Sequence, residues 1–266
     1  MVHVETRGAF VFATLDAPAT RNALTDAMVG GLIDALRLAD SLSETRALVL
    51  RGAGGTFCAG GDFSGFRASM ATPAPTNGAD PIATGNRRFG TLLEQLRAAS
   101  VATIAVVDGS AIGGGCGLAA ACDILLAASG AKFATPEVTL GLPPAQIAPF
   151  VADRIGERAA LRLLLTGRRL DAVQALACGL ADEVLAADAL DARLHELLTE
   201  LGRAEPAALR AAKAILRHAG PRVDTLDFAA RAFAAALRSG TASEGLAARA
   251  AKRAAAWTAS PGGPAA

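Results

Sequence analysis

The chain has 266 residues, 52% hydrophobic and 19% charged, with a net charge of +1. That balance sets aside a disordered chain, and the lack of a basic stripe with interleaved aromatics argues against a nucleic-acid partner. No run approaches the roughly 18 apolar residues of a membrane span, and residues 1–5 carry no signal-peptide pattern, so no membrane association is expected and the cytoplasm is the expected compartment.

Taken in order, residues 2–15 alternate and then run apolar around Arg7-Gly8, the pattern of a two-stranded hairpin. Residues 16–24 read as a loop. Thr25 or Asp26 then caps a helix over 27–41, with Met28, Leu32, Ala35, Leu36 and Ala39 on one face. A short buried strand over 46–52 runs into a glycine turn, Gly52-Ala53-Gly54-Gly55-Thr56-Phe57-Cys58-Ala59-Gly60-Gly61-Asp62-Phe63. Residues 69–85, rich in Pro, Ala, Thr and Gly, read as a flexible loop before a helix over 87–98. The apolar run 101–107 has the character of a buried strand. It leads into a second turn, Asp108-Gly109-Ser110-Ala111-Ile112-Gly113-Gly114-Gly115-Cys116-Gly117.

Residues 118–128 are a buried apolar segment, helical throughout or giving way to a strand over 123–128. A short strand over 131–134, a loop over 135–144 and helices over 150–155, 157–165 and 171–178 follow, then an extended piece over 180–185. Beyond Asp188 the pattern is helical, over 189–201, 206–219, 223–239 and 243–257, with a disordered tail over 260–264. The reading is an α/β core over 1–195 and a helical C-terminal region over 196–266. The thin apolar stripes of the last helices suit packing on another subunit or on the core.

Cys58, Cys116, Cys122 and Cys178 form no C-x-x-C pair, and His3, His195 and His218 are scattered, so no metal site is expected. Each cysteine reads as a small buried apolar residue. No G-x-S-x-G elbow is present for a serine hydrolase.

The two glycine turns hold the chemistry. Adjacent glycines at the head of a helix let the backbone come close to a ligand, and the first amides of the helix lack intrahelical partners at the positive end of its dipole. Such a turn suits negative charge on an oxygen, although the glycines also suit close helix–strand packing. A phosphate-cradling loop would end in Gly-Lys-Ser/Thr, and Gly115 is followed by Cys116-Gly117. The dinucleotide fingerprint fails because its third glycine position, counted from Gly113, is Leu118.

Arg21-Asn22-Ala23-Leu24, Phe57-Cys58-Ala59-Gly60-Gly61-Asp62, the turn from Val107 to Cys116 with Cys122-Asp123, Pro136-Glu137 and Leu165-Thr166-Gly167-Arg168 together resemble the enoyl-CoA hydratase/isomerase (crotonase) family. Ser243-Glu244-Gly245, Lys252-Arg253 and Trp257 fit as well. The resemblance implies a spiral of ββα units with a helical C-terminal region that builds trimers, often paired into hexamers. It implies an acyl-CoA thioester substrate that carries its own coenzyme A, and no other cofactor. By position it places two oxyanion-hole amides at Ala59 and Gly114. It assigns substrate or CoA contacts to Arg21, Ala23, Gly61, Asp62, Phe63, Ile112, Pro136, Gly141 and Lys252. Arg249 stands where the family usually has an aromatic residue.

The hydratases of this family usually carry two glutamates, and here the first position is Gly117 while the second, Glu137, is present. One carboxylate suffices to move a proton between water and Cα, which is hydration, or along an allyl system, which is isomerisation. A third reading is a silent acyl-CoA-binding member, against which Glu137 and both intact turns argue. The segment Pro144-Ala145-Gln146-Ile147-Ala148-Pro149, taken with Gly117, is similar to the isohexenylglutaconyl-CoA hydratases of acyclic terpene breakdown. Gln146 reads as a packing or turn residue, with water-holding as the alternative. Asp62 and Asp123 read as structural, and Arg67, Arg87 and Arg88 as solvated surface.

Overall fold

The computed structural model describes residues 1–62, 77–78, 80–218, 226–227, 229–231, 233 and 241–261. The side chains of 241, 243 and 249 are outside that set, as are the expectations for Phe63, Arg67 and most of the 223–239 helix.

Strands β1 (Val2–Arg7) and β2 (Phe10–Leu15) form the expected antiparallel hairpin. Parallel to β2 run β3 (Ala47–Gly52), β4 (Ala102–Val107), β6 (Ile124–Ala128) and β9 (Glu183–Leu185), giving one sheet in the order β1-β2-β3-β4-β6-β9. A second sheet joins β5 (Ser110–Ile112), β7 (Lys132–Ala134) and β8 (Arg169–Asp171). The larger sheet is covered on both faces, which is why its strands read as unbroken apolar runs. Leu48 and Leu50 of β3 point into a core with Met28, Leu32 and Leu36 of α1 (Asp26–Ser41) and Leu92, Leu93 and Leu96 of α2 (Pro81–Ala98). Their neighbours Ala47 and Val49 face Leu190, Leu194 and Leu198 of α7 (Leu190–Gly202). That helix runs through the boundary expected at 195/196.

Helix α1 is capped by Thr25, whose side-chain oxygen accepts the Met28 N–H at 3.2 Å. Helix α2 begins six residues earlier than expected. Asp80 accepts the Ile82 N–H at 2.8 Å and Pro81 occupies the first turn, so cap chemistry starts a helix that Ala-Thr-Gly-Asn composition hides. The apolar segment after the second glycine turn splits into α3 (Gly114–Ala121) and β6. Chain reversal at Cys122-Asp123 lets Ile124 pair with Ile104, an outcome periodicity alone cannot choose in a fully buried run.

Asp123 is structural, as expected. Its carboxylate accepts the Thr103 N–H at 2.8 Å and Lys213 Nζ at 2.6 Å, docking α8 (Pro206–Arg217) against the start of β4. Between these elements lie α4 (Ala148–Ile155), α5 (Glu157–Thr166) and α6 (Ala172–Ala177), the last with an Asp171/Gln174 capping box. Strand β8, only three residues long, escapes the sequence reading.

The last helix, α9 (Thr241–Ala250), stops short of the expected Trp257. Glu244 folds the chain back on itself by accepting from Arg253 at 2.7 and 2.9 Å and from the Ala256 N–H at 2.9 Å. The residues just before the expected tail then dock. Buried Arg46 donates to the Trp257 and Ala204 carbonyls, the Ala259 N–H to that of Gly202, and Pro261 is buried. Residues 262–264 of the expected tail lie outside the described residues.

Candidate active site

Both glycine turns leave the same end of the sheet, after β3 and after β4, and are sewn together. The Cys58 N–H donates to the Ser110 carbonyl at 3.0 Å, and the Ile112 N–H donates to the Cys58 carbonyl at 2.9 Å. Gly60 has φ +95°, and a Cβ there would stand 2.8 Å from the Ile112 oxygen, so only glycine lets the first turn close onto the second. That Cβ would also lie 3.5 Å from the Gly114 nitrogen, which places the Gly114 amide beside the first turn.

The first turn is held from outside by Asn22, which is fully buried at φ 58°. Its Nδ2 donates to the carbonyls of Ala53 (2.9 Å) and Thr56 (2.7 Å), and its Oδ1 accepts the Ala17 N–H at 2.8 Å. Asparagine tolerates this left-handed backbone better than most residues. The tightness of the arrangement gives Asn22 a positioning role that the motif alone did not assign. Replacing it with alanine is expected to cost about 1–3 kcal/mol in denaturant unfolding, because two half-buried carbonyls and one N–H lose their partner. If the first turn serves the site, kcat/KM should fall at least about tenfold in the same variant.

The assignment of a free amide to Ala59 is corrected by the backbone. Its N–H already donates to the Arg21 carbonyl at 2.9 Å. The Gly60 N–H lies 3.4 Å from the Cys58 sulfur. Among the described residues no acceptor takes the N–H of Gly61, and Gly61 bridges to Leu24 as a short extension of the strand. On the second turn Gly113, at φ +55°, donates to the Ala134 carbonyl at 2.7 Å. Gly114 opens α3, and among the described residues its N–H too has no acceptor. The two available donors are therefore those of Gly61 and Gly114, the second at the positive end of a helix.

Glu137 begins a short 3-10 turn, Glu137–Leu140, preceded by Pro136 and closed by Gly141 in the left-handed conformation. The Leu142 N–H donates to the Glu137 carbonyl at 3.0 Å, and Gly167 packs beneath Thr139 and Pro136. The carboxyl reaches back to the second turn: Oε1 lies 2.8 Å from where a Cβ on Gly113 would stand. Its Oε2 is buried and has no hydrogen-bond partner among the described residues. Burial pushes its pKa up from the ordinary carboxylate value, opposed in part by a backbone hydrogen bond. A half-buried carboxyl with an unclaimed oxygen beside the turn that opens with the Gly114 amide has the chemistry to move a proton next to a site for negative charge.

Position 117 offers no second acid. The Ile147 side chain occupies the place where a side chain on Gly117 would go, with Cγ2 only 2.2 Å from the position of its Cβ. Leu24 and Phe89 cover Gly114 with apolar carbon. The Nε2 of Gln146 donates to Asn86 Oδ1 at 2.9 Å and its Oε1 lies over Gly90, so Gln146 is a packing residue.

The structure therefore gathers Gly61, Ile112, Gly114, Pro136, Glu137 and Gly141, with Arg21 and Ala23 flanking the first turn. Arg21 is exposed and serves the turn through its carbonyl, and Ala23 is buried. Asp62 follows Gly61 at the edge of the described residues. Lys252 is exposed at φ 53°, and the residues after it are anchored through Arg46 at the start of β3, the end of the sheet remote from the turns. Arg87 pairs with Glu94, and Arg88 lies 3.9 Å from Asp26. The thiols of Cys58, Cys116 and Cys122 are buried and pushed up to about 12 mainly by that burial, which leaves them inert as nucleophiles. Asn22, Leu24, Phe89 and Ile147 are the site residues whose roles the sequence reading did not assign. A separate cavity of about 760 Å³, lined by Arg158, Arg162, Leu163, Arg168, Gln174 and Cys178 among others, includes neither Glu137 nor the glycine turns.

Residues 5–260 match the enoyl-CoA hydratase/isomerase family. The 2,3-dehydroadipyl-CoA hydratase of Escherichia coli is 34% identical over 77% of this chain and 76% of its own. Among solved structures, an enoyl-CoA hydratase/isomerase from Marinobacter aquaeolei superposes with a TM-score of 0.93 at 38% identity, covering 97% of this chain and 99% of that one. Pseudomonas aeruginosa AtuE superposes with a TM-score of 0.91 at 44% identity, with the same coverage of both chains.

Proposed function

This chain belongs to the enoyl-CoA hydratase/isomerase family, and from that premise we propose that it adds water across the double bond of a 2-enoyl-CoA thioester. The observation that carries the reading is the Glu137 carboxyl, half-buried with one oxygen unpartnered, set against the turn that offers the Gly114 N–H. The thioester oxygen sits between the N–H groups of Gly61 and Gly114. Glu137 takes a proton from water as the water oxygen bonds to C3. The π electrons move through C2 onto the thioester oxygen, where both amides stabilise the enolate. Glu137 then returns the proton to C2, and the carboxylate is regenerated. Leu24 and Phe89 keep bulk water from Gly114, which strengthens its hydrogen bond to the developing charge.

The finer proposal is an acyl group of the branched glutaconyl type, such as an isohexenylglutaconyl or methylglutaconyl thioester. Gly117 and the Pro-Ala-Gln-Ile-Ala-Pro segment support it, as does a relative named for another acid-terminated enoyl thioester. The assembly proposed is a homotrimer, alone or paired into a hexamer, in the cytoplasm. Exposed Leu216 and Leu246 on the C-terminal helices suit subunit contact. Among the described residues no helix is long and apolar enough to cross a membrane.

The test is consumption of crotonyl- and methylglutaconyl-CoA, followed by loss of the conjugated thioester absorbance. Gain of that absorbance from a 3-enoyl thioester, with no hydration of either, would assign isomerisation instead, for which one carboxylate also suffices. Glu137 must be ionised to act as base, and burial raises its pKa. Hence kcat/KM is expected to rise with pH through a single ionisation lying above the ordinary carboxylate range, measured as a pH–rate profile. A profile flat down to the ordinary range would remove Glu137 as the base.

A further inference from the structure

The turn Ala145–Ile147 lies between α2 and α3 and meets each of them at a glycine. On one side Gln146 hydrogen-bonds Asn86 of α2, with its Oε1 in space that a side chain on Gly90 would fill. On the other side Ile147, 3% exposed, presses onto α3 at Gly117. A Cβ on Gly117 would meet Ile147 Cγ2 at 2.2 Å, Cβ at 2.6 Å and Cα at 3.4 Å. The obstruction therefore includes the Cβ branch point, not only a mobile side-chain tip, while the Cα stands at ordinary contact distance.

We infer that this turn is a wedge, fixed by Gln146 and tipped by Ile147, that bars any acid–base side chain from position 117 and leaves Glu137 to carry every proton of the reaction. The inference rests on the hydratase reading for its chemistry, but its packing stands apart from it. Position 117 is where the hydratases of this family usually carry their first glutamate, so a carboxylate admitted there would share the attacking water. With Ile147 in that volume the wall is apolar. The water must then give its proton to Glu137, and C2 must receive its proton from the same carboxyl. Atoms balance: the OH goes to C3, the hydrogen goes to C2, and Glu137 ends as it began. Ile147 is thus a positioning residue, acting through the shape of the site.

The experiment is a double-mutant cycle with Gly117→Ala, Ile147→Gly and the pair, read by thermal unfolding and by kcat/KM. Gly117→Ala alone is expected to lower Tm by several degrees and kcat/KM by about tenfold, because the wedge must move. In the Ile147→Gly background the same substitution should be nearly neutral in both readouts. Equal losses in the two backgrounds would overturn the inference. A second arm compares pH–rate profiles. The wild-type protein should show one ionisation on the acid limb, and Gly117→Glu/Ile147→Gly should add a second. The Cys116 thiol, pushed up to about 12 mainly by burial and secondarily by the charge of Glu137, stays outside this range. Two ionisations in the wild type would also overturn the inference. Should hydration be absent while the Tm cycle remains non-additive, the reaction assigned above fails and the wedge stands.

Discussion

Glu137→Gln is expected to lower kcat for hydration by about a thousandfold, within the range for loss of a positioned general acid–base group. The amide keeps the shape of the carboxyl but can neither take a proton from water nor deliver one to C2. In a site with two carboxylates the remaining one would blunt the loss. Here position 117 is glycine with Ile147 pressed against it, so no neighbour inherits the task. Binding should survive, because the Gly61 and Gly114 amides are backbone groups that the substitution leaves alone. Calorimetry with a CoA thioester should therefore give a Kd within a few-fold of wild type.

Stability makes a separate statement about the same residue. Burial raises the Glu137 pKa in the folded chain, so between its unfolded and folded values the native state holds the extra proton. Ionisation above the folded value then works against folding, and this unfavourable contribution is absent at low pH. Glutamine removes it. At neutral pH the variant should melt at the same temperature as wild type or higher, and any advantage should vanish as pH falls below the unfolded value. A variant that keeps kcat within tenfold of wild type would show that Glu137 is not the proton carrier.

Much of this site was legible because its chemistry is carried by backbone and by a local motif. The glycine clusters advertise turns at strand ends, and Pro136-Glu137 supplies one carboxyl on a short loop. What sequence could not resolve was which N–H in a turn is left over. Ala59, Gly60 and Gly61 are adjacent, and the choice depends on the Arg21 carbonyl 38 residues upstream, which captures the first of them. The fold shows the same division. Strong periodicity placed α1, and alternation placed the β1–β2 hairpin. The split of the buried run after Gly117 into α3 and β6, and the three residues of β8, were settled by partners distant in the chain. Glu244 ends α9 by the same kind of non-local bond. Ile147 was invisible as a site residue because a buried isoleucine is ordinarily core, and its importance lies in the glycine it touches.

Because the oxyanion donors are backbone groups, only a residue without an N–H can remove one, and Gly114 is the place to do it. Proline is accommodated at the first position of a helix, where the missing N–H breaks no intrahelical bond. Gly113 precedes it without a Cβ, which relaxes the clash that proline imposes on its predecessor. The substitution also adds side-chain carbon near Leu24 Cδ1, 2.7 Å from the new Cβ, and near Phe89 at 3.5 Å. Gly114→Ala adds that same Cβ and keeps the N–H, so the ratio of the two variants isolates the donor. Against Gly114→Ala, Gly114→Pro is expected to lose about 100- to 1,000-fold in kcat, the magnitude found when one oxyanion donor is deleted. Its KM should change far less, since a ground-state carbonyl uses the donor weakly and an enolate oxygen strongly. Steady-state kinetics on crotonyl-CoA reads this split, and near-ultraviolet circular dichroism checks that α3 still packs. Equal kcat in the two variants would mean that the charge develops elsewhere. The anion site would then have to be sought away from the head of α3, with Gly61 left as the one amide of the pair still free to serve it.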